Sequence, residues 1–222
     1  MLLGLDVGGT FTDAVIIDGH RVVATAKRRT TKDNLMNGIG EALDAVLEGN
    51  DTSNIEQVTL STTVVTNTIV EEKEQVVDLY VVTGPGRNVD DIFPVKPIYL
   101  QGYTDHRGIV VEHTPADAVR GIANMVQARS GTDLAAVSAK FGVRNPQEEL
   151  SITEELKNTY HTISNGSLLS GSLNFPRRTI SAYFNSAVTP VFTVFKKNVE
   201  DALSARNILA PLHILKADGG SL

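Results

Sequence analysis

Near its start the sequence places Asp6-Val7-Gly8-Gly9-Thr10-Phe11-Thr12-Asp13 between two short apolar, β-branched runs, 2–7 and 14–17. Those residue types in that order suit the holding of phosphate. Two consecutive glycines let a backbone turn tightly, with positive φ open to them, and come close to a ligand. Their N–H groups, with the hydroxyls of Thr10 and Thr12, can form an anion-binding concavity. Asp6, at a strand end, has the type and place to hold a hydrated Mg²⁺, because protein-bound Mg²⁺ keeps several of its waters. Asp13 has either a similar part or that of a base. The stretch lacks G-x-x-x-x-G-K-[ST] and runs into a strand rather than a helix, so it is neither a P-loop nor a dinucleotide fingerprint. Taken alone, the same residues also describe an ordinary Gly-Gly hairpin with acidic neighbours.

The elements around this loop must hold it open. Residues 2–7, 14–17 and 21–27, with Asp18-Gly19 as a hairpin dipeptide, predict a three-stranded antiparallel meander. Leu35, Met36, Ile39, Leu43, Val46 and Leu47 then fall on one helical face, with Thr30 or Thr31 as N-cap and Gly49 as the stop. A strand at 57–60 leads into a Thr-rich segment, 61–70, that begins as a loop and continues as a helix. Further strands are expected at 76–82, 134–139 and 160–163, with a hairpin of 98–103 against 109–112. Thr114-Pro115-Ala116-Asp117 reads as an N-cap, a proline at the first helical position and an acid in the first turn. Asn145-Pro146 opens another helix to about 157. A long helix from 177 to about 205 contains Pro190, which should kink or divide it. Alternation at this density predicts an α/β fold, with the meander at one edge of an otherwise parallel sheet.

Composition narrows the chemistry. The 222 residues are 41% hydrophobic, ample for a core, and carry 20 basic against 26 acidic side chains, a net charge of −6 with no Lys/Arg block. That balance argues against nucleic acid or an anionic membrane surface as partner. The absence of Cys removes disulfides, thiolate nucleophiles and Cys-ligated metals together, and is compatible with a cytoplasmic address. His106 and His113 flank a predicted turn without H-x-x-x-H or H-E-x-x-H spacing, which favours a solvated hairpin over a metal site. Arg177-Arg178 could bind a carboxylate or phosphate, yet at a helix start in an acidic chain a surface salt bridge is the readier role.

With those residues in view, the sequence resembles a known family. Asp6–Asp13 is similar to the first phosphate-binding hairpin of the actin-like ATPase superfamily, and the fuller Gly-Gly-Thr-Phe-Thr-Asp form resembles the hydantoinase/oxoprolinase family. Ser61-Thr62-Thr63-Val64-Val65-Thr66-Asn67 resembles the family's Thr-Thr-x-x-Thr-Asn stretch beside the nucleotide. Residues 137–146, 178–185 and the terminal Ala217-Asp218-Gly219-Gly220 resemble later family segments in the same order.

The resemblance implies an actin-like ATPase (ribonuclease H-like) subdomain, its three-strand meander extending into a mixed sheet flanked by helices. It implies residues 1–165 as that N-terminal subdomain and 166–222 as the helical opening of a second one. ATP and Mg²⁺ are the implied cofactors. Gly8, Gly9, Thr10, Phe11, Thr12, Thr62, Thr63 and Asn67 are the implied nucleotide-binding residues, Asp6 and Asp13 the catalytic ones, and Asp6 also the metal ligand. The implied reaction is opening of a small cyclic amide after ATP-driven phosphorylation of its carbonyl oxygen, with a B-type partner subunit or fused domain. Carboxylation of a ketone and a non-catalytic, nucleotide-responsive scaffold are the alternatives; a sugar or acid kinase is disfavoured by Phe11-Thr12-Asp13. Family members are much longer, so this chain is expected to be an N-terminal part lacking the second phosphate hairpin. Alone it should bind ATP weakly, and it should self-associate through Ile180, Phe184, Val191 and Phe195.

Overall fold

The computed structural model describes residues 1–31, 34–86, 89–216 and 220–221. In chain order the strands and helices are β1 (Leu2–Val7), β2 (Phe11–Asp18), β3 (Arg21–Arg29), α1 (Leu35–Leu47), β4 (Gln57–Thr62), α2 (Val64–Val70) and β5 (Asp78–Val82). Then follow β6 (Ile98–Tyr99), β7 (Tyr103–Thr104), β8 (Val110–Glu112), α3 (Ala116–Ser130), β9 (Leu134–Ala139), α4 (Gln147–Leu156), β10 (Thr162–Asn165), α5 (Gly166–Leu169), α6 (Phe175–Ser204) and β11 (Leu212–Ile214). Packing divides them into two compact units, Met1–Lys73 with Val191–Leu222, and Glu74–Pro190. Asn165, where the sequence reading ends the first subdomain, is the last residue of β10, inside the second unit.

The first unit is built on a five-stranded sheet in the order β11-β4-β1-β2-β3. The meander β1-β2-β3 is antiparallel, while β4 and β11 run parallel to β1. Alternation assigns one face to the core: Leu3, Leu5 and Val7 of β1, Ala14 and Ile16 of β2, and Val58 and Leu60 of β4 are buried. Ile39, Leu43 and Val46 of α1 and Phe195, Val199 and Leu203 of α6 cover them. On the order of 2 kcal/mol for each large aliphatic side chain taken from water is ample to fix this register, since a slip of one residue would turn the whole set outward. The opposite face carries Gly4, Asp6, Asp13, Val15, Thr59 and Ser61.

The second unit holds a four-stranded parallel sheet, β10-β9-β5-β6. β5 and β9 are buried at every position, as strands sandwiched between helices must be. Tyr80 and Val82 pack with Val119, Ala123, Ile152 and Leu156 of α3 and α4, whereas Leu79 and Val81 pack with Phe175, Ala182, Tyr183 and Ala187 of α6.

Several sequence expectations shift at the element ends. The cap of α1 is Asn34, whose side chain accepts from Met36 N–H, rather than Thr30 or Thr31. Thr114 does not cap α3; its hydroxyl donates to the Gln101 carbonyl at 2.6 Å. The expected 98–103 against 109–112 hairpin is two pairings, β6 alongside β5 and β7 against β8. Tyr160 lies outside β10: its N–H donates back to Leu156 O at 2.9 Å in the turn after α4, and its buried hydroxyl donates to Asp78 at 2.8 Å and meets that of Tyr80 at 2.7 Å; burial pushes the Tyr80 phenol up to about 12. Helix α6 begins at Phe175, with the Asn174 side chain accepting from Arg177 N–H, and runs through Pro190 as one element. Proline deletes one helical hydrogen bond, and the boundary between the two packing units falls there instead of a break in the helix. The apolar face expected to drive self-association is not open: Phe195 is buried, and Ile180, Phe184 and Val191 are half-buried. No helix among the described residues is long and apolar enough to cross a membrane.

Candidate functional site

The loop between β1 and β2 is closed by Gly8 N–H donating to Phe11 O at 3.0 Å. Thr30, just past β3, secures it from both sides: its N–H donates to Thr10 O at 2.9 Å, and its hydroxyl donates to Gly8 O at 2.8 Å. That hydroxyl has a single proton, so in its 3.2 Å contact with the fully buried Thr12 hydroxyl the donor is Thr12. Thr12 therefore points into the protein and braces the loop through Thr30. Neither Gly8 nor Gly9 adopts positive φ, so the expected left-handed backbone is not what selects glycine here. Close approach is. A Cβ on Gly8 would sit 3.2 Å from Phe11 O, and one on Gly9 would sit 3.5 Å from Asn67 Nδ2.

The carbonyls of Gly8 and Thr10 are thus engaged, while among the described residues the N–H groups of Gly9 and Thr10 and the Thr10 hydroxyl make no hydrogen bond. Both residues are exposed. Adjacent unpaired donors on a loop pinned by its own carbonyls are of the kind that can receive an anion with little rearrangement.

Parallel pairing brings the Thr-rich segment to this loop. Val7 faces Thr62 across β1 and β4, and Thr63 N–H donates to Val7 O at 3.3 Å. From there α2 carries Asn67 back over Gly9; its Nδ2 donates to Thr63 Oγ1 at 3.2 Å. Thr62 turns the chain by accepting Val64 N–H at 3.2 Å. Gly8, Gly9, Thr10, Thr63 and Asn67 therefore share one rim, although about fifty residues separate the two segments.

Across the open face of the sheet, register aligns four side chains: Lys27 opposite Asp13, Asp13 opposite Asp6, and Asp6 opposite Ser61. Asp6 is exposed. Asp13 is engaged by Lys27, whose Nζ donates to both carboxylate oxygens at 2.9 and 3.0 Å and lies 4.8 Å from the centroid of the exposed Phe11 ring. Asp6, Asp13, Lys27 and Ser61 line a cavity of about 500 Å³ together with Gly4, Val15 and Thr59. Asp6 has the free carboxylate that a partly hydrated Mg²⁺ would take alongside phosphate oxygens, and the described residues contain no cage of three or more ligands of the kind a fully protein-bound ion requires.

Elsewhere, His113 Nδ1 lies 2.6 Å from the buried Glu148 carboxylate, and the turn before it is held by Asp105. Arg178 is not a surface residue: it is fully buried and donates to Ser172 O and Ala139 O at 2.6 and 2.9 Å. Burial lowers its pKa, against the pull of Glu149. The resembling segment Ala217-Asp218-Gly219 lies outside the described residues. Sequence alone gives no sign of Lys27 or Thr30 as site residues, since each reaches the loop or its neighbours only through strand pairing.

The chain thus joins an antiparallel meander to a mixed sheet flanked by helices, with a pinned glycine loop at its first hairpin. The whole chain is similar in backbone to acetone carboxylase in a nucleotide-free structure (TM-score 0.77, 17% identity) and to the ATP-dependent caprolactamase of Pseudomonas jessenii (TM-score 0.76, 18% identity). It spans just over a third of those chains, 37% and 36% respectively. No curated protein matches the sequence. The family model of the hydantoinase/oxoprolinase N-terminal region matches residues 2–160, and the chain belongs to that family.

Proposed function

We propose that this chain is the N-terminal, phosphate-binding part of a cytoplasmic ATP-dependent enzyme that opens a small cyclic amide. The observation that carries the reading is the pair of unpaired, exposed N–H groups at Gly9 and Thr10, on a loop that Asn67 approaches and that follows the strand bearing the exposed Asp6. An amide carbonyl is a poor electrophile; with its oxygen phosphorylated by ATP, the carbon accepts water, the tetrahedral adduct expels the protonated ring nitrogen to leave an acyl phosphate, and a second water releases phosphate from the opened acid. The protein's share of such a reaction is positioning and charge stabilisation. Gly9, Thr10 and Asn67 bind the phosphates, Asp6 holds Mg²⁺ through its free carboxylate, and Thr12, Thr30, Gly8, Thr62 and Thr63 keep the rim in place. Phe11 and Asp13 act from the adjoining strand. The rest of the nucleotide cleft and the amide pocket belong to a further domain or B-type partner, consistent with a chain spanning about a third of its structural neighbours. A second reading, ATP-dependent carboxylation of a ketone, draws support from the equal likeness to acetone carboxylase.

Mg-ATP turnover by the full-length protein, with 5-oxoproline, hydantoins and lactams on one side and ketones with bicarbonate on the other, decides between them. Asp6→Asn is expected to abolish turnover with the fold intact by circular dichroism. Normal turnover by that variant would remove Asp6 from the site.

A further inference from the structure

The cross-sheet row Lys27, Asp13, Asp6, Ser61 contains two carboxylates directly opposite one another, an arrangement that repels. Lys27 joins the row through a defect in the β2–β3 ladder. Near the turn Ile17 pairs with Val22, but beyond it Ile16 pairs with Ala24, leaving Val23 without a partner. Had the turn register continued, Asp13 would face Ala26 and Lys27 would face Thr12, on the core side of the sheet. The bulge at Val23 thus re-aims Lys27 onto the open face, a use that bulges beside functional sites serve. There the ammonium meets both oxygens of Asp13 and lies over Phe11. As a stability device this is poor, because both side chains are about half exposed and such pairs contribute roughly 0 to 1 kcal/mol. Its consequence is for Asp13.

We propose that Lys27 is a positioning residue that withholds Asp13 from the cation, so that the site offers one protein carboxylate and the ion must draw its remaining ligands from phosphate and water. This rests on the reading of Asp6 as the cation's ligand. A site so arranged discriminates against the bare metal and in favour of metal bound to a polyphosphate. Freed of Lys27, Asp13 would join Asp6 and convert the row into a two-carboxylate site.

Mn²⁺ alone, titrated into the 222-residue chain and followed by electron paramagnetic resonance and water-proton relaxation, tests this. One unit charge acting on a divalent ion across roughly 5 Å of watery surroundings is worth about a tenfold change in affinity. Lys27→Met should tighten Mn²⁺ binding by about that factor and reduce the waters on the bound ion, while Lys27→Arg keeps weak binding. Arg29→Met deletes the same charge two pairs further along β3, opposite Phe11, and should change affinity by less than about twofold. Adding Asp13→Asn to Lys27→Met should restore the lost water. The proposal is overturned if Lys27→Met leaves Mn²⁺ affinity and hydration unchanged, or if Arg29→Met tightens binding equally, which would be net charge alone. Failure of the Asp6 reading looks different: Asp6→Asn would then leave Mn²⁺ binding unaltered in the Lys27→Met background.

Discussion

Replacing Thr30 and Thr12 with valine, singly and together, probes whether the loop between β1 and β2 is braced as its hydrogen bonds indicate. The Thr30 hydroxyl donates to Gly8 O at 2.8 Å and accepts from Thr12 at 3.2 Å. Each such bond contributes about 1 kcal/mol net. Thr30→Val loses both and should cost about 2 kcal/mol, whereas Thr12→Val loses one and should cost about 1 kcal/mol. The bond between them is shared, so the double variant should cost about 2 rather than 3 kcal/mol, a coupling of about 1 kcal/mol. Because the chain packs as two units, a single unfolding transition is a poor ruler. Hydrogen exchange at Gly8 N–H, bonded to Phe11 O, reads the loop directly. A loss of 2 kcal/mol corresponds to exchange roughly 30-fold faster in Thr30→Val. Additive effects within about 0.3 kcal/mol, or unchanged exchange at Gly8, would show that the loop is held by something other than this chain of hydroxyls.

The two glycines should separate by phenotype. In Gly8→Ala the new methyl crowds Phe11 O at 3.2 Å and loosens the hairpin, measurable as a lower melting temperature, while Gly9→Ala makes only ordinary contact with Asn67 at 3.5 Å, retaining stability but weakening phosphate binding in calorimetry. Acid should act on the turn before β8. Asp105 is pulled down to about 2, first by the Ile109 N–H and then by Arg107. Its folded pKa lies below the unfolded 3.8, so the stabilisation is present above pH 3.8 and lost as pH falls toward 2. Asp105→Asn should flatten that part of the acid unfolding curve, and an unchanged curve would mean the carboxylate contributes nothing there.

Much of this architecture is legible in the sequence because local patterns carry it. The alternation in 2–7 and 14–17, the 3.6-residue spacing of Leu35 to Leu47 and the Gly-Gly pair each reflect forces acting within a few residues. What escaped depends on distant partners. Lys27 reaches Asp13 only through the bulge at Val23, and one residue of register separates the open face from the core. Arg178 reads as a surface cation because nothing nearby in sequence discloses that Ala139 O and Ser172 O await it. Thr12 has the right chemistry for a ligand, yet strand alternation puts its hydroxyl on the buried face beside Thr30. Strand β11 has three residues and no periodicity to betray it; its identity comes from the β4 edge it pairs with.

The division of the chain at Lys73 and Val191 also orders events during synthesis. The second unit is a single continuous segment, so every residue it packs is available once Pro190 has left the ribosome. The first unit is interrupted. Its core draws on Phe195, Val199, Leu203 and Ile214, and its sheet lacks an edge until β11 arrives. The loop between β1 and β2, though among the first residues made, therefore belongs to a scaffold that closes last, and a ribosome pausing before about residue 210 would present the inserted unit complete while the first unit is still open.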